Sequence, residues 1–193
     1  MTQSISEKIG THPETTLIGS LNSERELLDG CLAGDRETQR QLYEQNCNVI
    51  YRLMYRLVGP TDADDLTQQV FLTAFRKLDK FQGRSSFATW LYRVASNEAL
   101  QFLRRSGRDR HQPILCDPLD AQPSGLDELD QHDLLQHILD RLDPDLRTIF
   151  LLREAEGLSY YEIALILDIA EGTVASRLSR ARQSLRELIR AAP

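Results

Sequence analysis

Cysteine is scarce in this 193-residue chain: Cys31, Cys47 and Cys116 are an odd, scattered set with no C-x-x-C spacing and no paired histidines nearby. Neither a disulfide framework nor a zinc site is indicated. His12, His111, His132 and His137 form no nucleophile–base or metal constellation, and no glycine-rich phosphate loop occurs. The expectation is a protein with no catalytic residues, no metal and no cofactor, and not an enzyme. Long apolar runs are missing too: none approaches the roughly eighteen residues that span a bilayer, and the N-terminus lacks a charged segment followed by an apolar stretch. This predicts no membrane insertion and a cytoplasmic location. Period-two alternation is absent throughout, which excludes half-buried strands and predicts an all-α fold.

What is present is enough apolar material to bury a core, 41% of the residues, and a charge pattern hidden by the net charge of -6. A negative protein attracts phosphate poorly. The charges are segregated, however. From Asp117 to Asp145 the acids Asp117, Asp120, Asp127, Glu128, Asp130, Asp133, Asp140, Asp143 and Asp145 face only Arg141. Arg93, Arg104, Arg105, Arg108 and Arg110 precede this block, and Arg177, Arg180, Arg182, Arg186 and Arg190 follow it. Two basic segments around an acidic one suggest two nucleic-acid contacts joined by a stretch that avoids the polyanion or imitates it.

Periodicity and punctuation divide the chain. Residues 1–20 are polar, with Gly10, Pro13 and Gly19, and read as a disordered tail. Ser23 and Glu26 form a capping box before Leu27 and Leu28, and a second helix runs from about Asp35 through Leu42, Val49, Leu53 and Leu57 to Gly59-Pro60. A third starts near Thr61 or Asp62 and runs to about Lys77, and a fourth spans about Ser86–Arg105. Gly107, Pro113, Pro118, Pro123 and Gly125 then mark a linker over 106–130. A structureless stretch of about twenty residues is rare inside a compact domain, so two small helical domains are expected, at 21–105 and 131–193, joined by a flexible acidic linker. In the second, Leu134, Leu135, Ile138, Leu139 and Leu142 mark one helix, and Asp143-Pro144 opens another through about Ala155.

The end of the chain reads as a helix-turn-helix. Ser159 and Glu162 cap its first helix, which carries Ile163, Ala164, Ile166 and Leu167; the turn is Asp168 to about Glu171. At 100° per residue, Val174, Leu178, Ala181, Leu185, Leu188 and Ile189 fall in one stripe, with Ser176, Arg180, Gln183 and Arg190 opposite and Arg177 and Arg182 on the flanks. A helix packed by one side and presenting guanidiniums from the other suits a DNA groove. An amphipathic helix with salt-bridged arginines would need acids, and Glu187 is the only one between Thr173 and Arg190.

Two further faces stand out. On the third helix Ala63, Leu66, Val70, Phe71, Ala74 and Leu78 form the buried arc and Asp62, Asp65, Gln68, Gln69 and Arg76 the exposed one, from which Leu72 projects like a small protein-binding hot spot. A lone exposed leucine by itself usually means nothing. The fourth helix buries Phe87, Leu91, Val94, Ala95 and Phe102 and groups Trp90, Arg93, Asn97, Gln101 and Arg104 on another side. Arginines can hold phosphates, amides can read base edges and an aromatic can stack on an unpaired base. Burial of Trp90 in the core is the competing reading.

The strings D-A-D-D-L-T-Q-Q-V-F-L-T-A-F at 62–75, F-Q-G-R-S-S-F-A-T-W-L-Y-R-V-A-S-N at 81–97 and L-S-Y-Y-E-I-A-L-I-L-D-I-A-E-G-T-V-A-S-R-L-S-R-A-R at 158–182 resemble the group IV, extracytoplasmic-function sigma factors of bacterial RNA polymerase. The resemblance covers about residues 24–190. It implies that the first domain is sigma region 2, a helical bundle that docks on core polymerase and opens the minus-10 element, and that the second is region 4, a helix-turn-helix that reads the minus-35 element. The implied core-polymerase contacts are Asp62, Asp65, Gln68, Gln69 and Leu72, on the clamp of the largest catalytic subunit. The minus-10 set comprises Phe81, Ser85, Ser86, Trp90, Arg93, Asn97, Gln101, Arg104 and Arg105, the segment Phe81–Trp90 resembling a loop that captures a flipped base. The minus-35 set comprises Glu171, Thr173, Ser176, Arg177, Arg180 and Arg182. The flap of the second-largest polymerase subunit and an anti-sigma factor are further partners that family habit implies. The linker resembles a segment threading toward the RNA exit path.

This chain departs from the family pattern in places. Asp168, Ala170 and Ala175 stand where Gly, Ser and Lys are frequent, so a helix-capping hydroxyl and a phosphate contact are missing. Gln101 stands where aspartate is common, so the family's minus-10 preference does not transfer unchanged. A stand-alone helix-turn-helix regulator is the alternative, and it would have no need of Leu72 or the aromatic loop.

Overall fold

The computed structural model describes residues 21–106 and 136–191, and every regular element among them is helical. The expected tail, nearly all of the expected linker and Cys116 lie outside these residues. Contacts divide the chain into two units, 1–46 and 47–193, with the division inside a helix.

In the first unit, α1 (Leu21–Leu32) leads to the start of α2 (Arg36–Val58). Because α1 begins at Leu21, Ser23 lies within the helix and not at its cap, contrary to the capping-box expectation. Gly30 sits where the chain passes close to itself: a Cβ there would come within 2.6 Å of Thr38 Cγ2. Leu28, Cys31 and Leu42 are buried, and burial raises the Cys31 thiol above its ordinary pKa.

In the second unit, Ile50, Leu53, Met54 and Leu57 recur at helical spacing on α2 and are buried almost completely. α3 (Pro60–Lys77) starts a residue or two earlier than expected, because Pro60 occupies the first helical position, where its missing N–H costs nothing. A 3-10 turn (Leu78–Lys80) and a short loop lead to α4 (Phe87–Arg105), which packs on α3. The anticipated arc of α3 is all buried, and Thr67 and Thr73 are buried beside it. On α4, Phe102 is only half-buried, whereas Tyr92, Ser96, Ala99 and Leu103 are buried although no apolar stripe announced them. The reason is that α4 meets three neighbours, α3 and two later helices.

Residues 136–140 are helical (α5) and are followed by α6 (Pro144–Glu154), α7 (Tyr160–Leu167) and α8 (Glu171–Ala191). Asp143 caps α6 by accepting from the N–H groups of Asp145 and Leu146, with Pro144 at the first position. α8 packs on α6 and α7, and α7 and α6 also pack on α4. The core here is Ile149, Leu152, Ile163, Ile166, Val174 and Leu178. Among the described residues no helix is long and apolar enough to cross a membrane.

Candidate functional site

On α3, Leu72 is 59% exposed, the apolar projection the helical wheel indicated. Asp65, Gln68 and Gln69 are exposed beside it and Asp62 is half-exposed. A polar network that sequence reasoning missed orders its surroundings. Buried Thr73 donates its hydroxyl to Glu98 Oε1 on α4 at 3.0 Å and accepts from Gln69 Nε2 at 3.3 Å and Arg76 Nη2 at 3.2 Å. Arg76 Nε also donates to the Leu72 carbonyl at 3.2 Å. Side chains already held this way lose less entropy when a partner arrives. The available signal was a threonine at a core position with two donors one turn away.

Between α3 and α4 the chain forms an aromatic cluster. Phe81, Phe87 and Trp90 have ring centroids 5.6–5.9 Å apart, Phe81 edge-on to Phe87. Gly83, at φ 65°, supplies the left-handed turn that brings Phe81 back. Ser86 caps α4, its Oγ accepting from the Thr89 N–H at 3.1 Å, and Ser85 donates its hydroxyl to the Ser86 carbonyl. Trp90 is half-buried, between the core and open readings of it. Arg93, Asn97, Gln101, Arg104 and Arg105 follow, exposed, with Arg105 donating to Gln101 Oε1 at 3.2 Å.

The helix-turn-helix is α7, a turn and α8. Ser159 and Glu162 form the anticipated capping box: Ser159 Oγ accepts from the Glu162 N–H, and the Glu162 carboxylate accepts from the Ser159 N–H. Asp168 closes α7 at φ 56° and ψ 47°, a left-handed conformation that aspartate tolerates better than most non-glycine residues. Ala170 precedes α8 and offers only its carbonyl, which accepts from Thr173 and Val174. Val174, Leu178 and Ala181 are fully buried, and Glu171, Ser176, Arg180 and Gln183 face solvent. Thr173 and Arg177 are half-buried.

Two expectations for α8 need correction. Ile189 is 57% exposed, since α8 runs past the elements that cover its stripe. Arg182 has an acid after all: its Nη2 lies 2.6 Å from Glu154 Oε1, a residue of α6 and not of α8. That hydrogen bond first, and the Glu154 charge as well, raise the Arg182 pKa above its ordinary value. Within α8, Glu187 accepts from Gln183.

The fold also gathers residues from both expected domains. Asn97, Gln101 and Arg104 of α4 line one cavity with Asp145, Thr148 and Arg177. The Asp145 carboxylate lies 4.0 Å from Arg104 and 3.9 Å from Arg177, and Arg93 lies 4.0 Å from Asp168. Exposed pairs at such separations contribute little to stability, about 0–1 kcal/mol. Their importance is positional, because they set acids against arginines of the α4 and α8 faces.

Residues 42–109 match the family model described as Sigma-70 region 2, and residues 132–185 match that described as Sigma-70, region 4. The chain is 34% identical over 180 residues to the ECF RNA polymerase sigma-E factor of Haemophilus influenzae, covering 86% of this chain and 95% of that protein. To the ECF RNA polymerase sigma-E factor of Escherichia coli K12 it is 35% identical over 175 residues, covering 82% and 90%. Among solved structures it is similar to the sigma factor RpoE of Bartonella quintana, crystallised with the anti-sigma factor NepR, at TM-score 0.61 and 29% identity, covering 80% of this chain and 98% of that one.

Proposed function

The chain belongs to the extracytoplasmic-function sigma factors of the sigma-70 family and is an alternative sigma factor that directs promoter recognition; we propose how its surfaces divide that work. Leu72, with Asp62, Asp65, Gln68 and Gln69, docks on the clamp of the largest polymerase subunit. The observation that carries this assignment is the 59% exposure of Leu72 amid side chains ordered by Thr73. An apolar side chain held open within a structured polar rim is how binding energy concentrates at an interface.

In this reading α4 and the aromatic loop act on the minus-10 element. Extruding a base costs a few kcal/mol of stacking, and rings already packed at Phe81, Phe87 and Trp90 offset that without first having to be ordered. Ser85 and Ser86 shape the loop, Arg93, Arg104 and Arg105 meet phosphates, and Asn97 and Gln101 present amides to base edges. The reading assigns no catalytic step to the chain.

α8 reads the minus-35 element through Ser176 and Arg180, with Glu171 and Thr173 at its start and Arg177 and Arg182 on the flanks. The missing cap at Ala170 forgoes about 1 kcal/mol. Weak individual contacts become sufficient when polymerase holds both heads at promoter spacing, because the second then binds at high effective concentration. The Bartonella quintana factor was solved with an anti-sigma factor; a protein of that class is the proposed negative regulator here, and the polymerase flap the proposed second contact of region 4.

The test is a titration of core RNA polymerase with the labelled full chain and with Leu72→Ala. The wild type binds, and the variant binds about tenfold or more weakly at unchanged melting temperature, as expected for a hot spot. Unchanged affinity overturns the docking assignment. Absence of polymerase binding together with tight duplex binding alone favours the stand-alone regulator.

A further inference from the structure

One residue on from Asn97, Glu98 falls about 100° round α4 from the stripe assigned to minus-10 DNA. It is half-buried, and its Oε1 accepts at 3.0 Å from the hydroxyl of Thr73 on α3, a residue 2% exposed. A threonine inside a helix ordinarily donates to the carbonyl one turn back. Buried Thr67 and Thr148 do so in this molecule, bonding the Ala63 and Pro144 carbonyls at 2.7 and 2.8 Å. Thr73 departs from that habit because α4 brings it an acceptor. A hydroxyl has one proton and two lone pairs, and an ionised carboxylate only accepts, so Glu98 decides which way the proton points. With the proton committed to Glu98, the lone pairs are left for two donors of α3, Gln69 Nε2 at 3.3 Å and Arg76 Nη2 at 3.2 Å.

Gln69 and Arg76 lie three residues before and four residues after Leu72. On the wheel they stand about 60° and 40° round from it, both toward Thr73, so they form one flank of the exposed leucine. Arg76 Nε also donates to the Leu72 carbonyl at 3.2 Å, which folds the guanidinium back along α3. That flank is therefore tied, through a single hydroxyl, to a carboxylate on the next helix. We propose that Glu98 is a positioning residue for polymerase docking: acting through Thr73, it fixes Gln69 and Arg76 as one wall of the docking site around Leu72. It serves the polymerase face although the helix that carries it is assigned to DNA. The inference deepens the assignment of Leu72 and its neighbours to polymerase and rests on it.

The test titrates core RNA polymerase with the labelled full chain and with Glu98→Ala, Thr73→Val, Thr73→Ser and Leu72→Ala, each accompanied by a melting curve. Thr73→Val removes the hydroxyl at nearly constant shape, and Thr73→Ser keeps it. Glu98→Ala and Thr73→Val are expected to bind polymerase roughly three- to tenfold more weakly, the scale of a lost hydrogen bond, and Thr73→Ser to bind as the wild type does. In a Gln69→Ala/Arg76→Ala background Glu98→Ala costs nothing further, because nothing is left for it to position. Open-complex formation on promoter DNA separates docking from DNA contact: Glu98→Ala raises the factor concentration needed for half-maximal opening and keeps the plateau. Should Thr73→Val fail to fold, Glu98→Ala and Thr73→Ser carry the test. Wild-type affinity for Glu98→Ala, a Thr73→Ser as weak as Thr73→Val, or a loss confined to the opening plateau overturns the positioning role. Weakened binding by Leu72→Ala in the same titrations leaves the docking assignment standing through that failure; unchanged binding by Leu72→Ala shows that the assignment itself has failed.

Discussion

Arg180 and Arg182 stand two residues apart on α8 yet meet different surroundings. Arg180 faces solvent, and Arg182 is bound to Glu154 at 2.6 Å. A guanidinium already paired must give up its acid before it serves a phosphate, so the two cannot contribute equally. Arg180→Ala is expected to weaken minus-35-dependent binding of the reconstituted holoenzyme by about 1–3 kcal/mol, the scale of a good bidentate base contact, and Arg182→Ala by less. Holoenzyme titrations on promoter DNA with and without the minus-35 element measure this; equal losses would reject the distinction. The arginine's exposure on the wheel was legible along α8, but its partner was not, since Glu154 lies 28 residues upstream on another helix. Leu72 is the contrasting case. Its exposure followed from α3 periodicity alone, whereas the Thr73 hydroxyl that orders its rim depends on Glu98, 25 residues on.

At the scale of elements, punctuation was the most readable part of the chain. Pro144 after Asp143, and Ser159 with Glu162, mark helix starts where one or two hydrogen bonds decide the boundary. Those bonds are local, so the residues that make them are adjacent in sequence. Ser159→Ala is expected to cost about 1 kcal/mol, because it removes the acceptor for the Glu162 N–H at the head of α7. Thermal denaturation of the full chain checks this, and an unchanged melting temperature would show that the Glu162 carboxylate alone holds that helix start. Periodicity did less well on α4. It revealed the side packed on α3 but not burial of Tyr92, Ser96 and Ala99, because a second covering helix imposes no extra apolar stripe when small and hydroxyl-bearing residues fit beneath it. The early start of α1, which places Ser23 inside the helix, shows the same limit: a capping pattern names a residue that could cap, and the backbone beyond it decides whether it does.

Across the whole molecule, the segregation of charge was visible at once, but what the charges meet was not. Asp145, the last acid of the block, lies near both Arg104 and Arg177, one from each flanking basic segment. On the proposed assignment of α4 and α8 to DNA, a carboxylate between their guanidiniums takes the role of a phosphate, and imitation of the polyanion gains a physical form at this described point. The packing of α6 and α7 on α4 was equally invisible from sequence. The Tyr92 hydroxyl donates to Glu156, 64 residues on, and Arg147 donates to the Leu57 carbonyl, 90 residues back, with composition between them that argued for separate domains. Each contact needs only one ordinary polar residue on either side, and no pattern advertises such a pair.

The central claim is that this chain directs polymerase to promoters. The most direct measurement combines the purified full chain with core RNA polymerase on fragmented genomic DNA of the source bacterium and sequences the RNA 5′ ends. Initiation is predicted at a limited set of sites that share a minus-35 and a minus-10 element and are absent with core polymerase alone. Transcript ends indistinguishable from those of core polymerase alone would contradict the account.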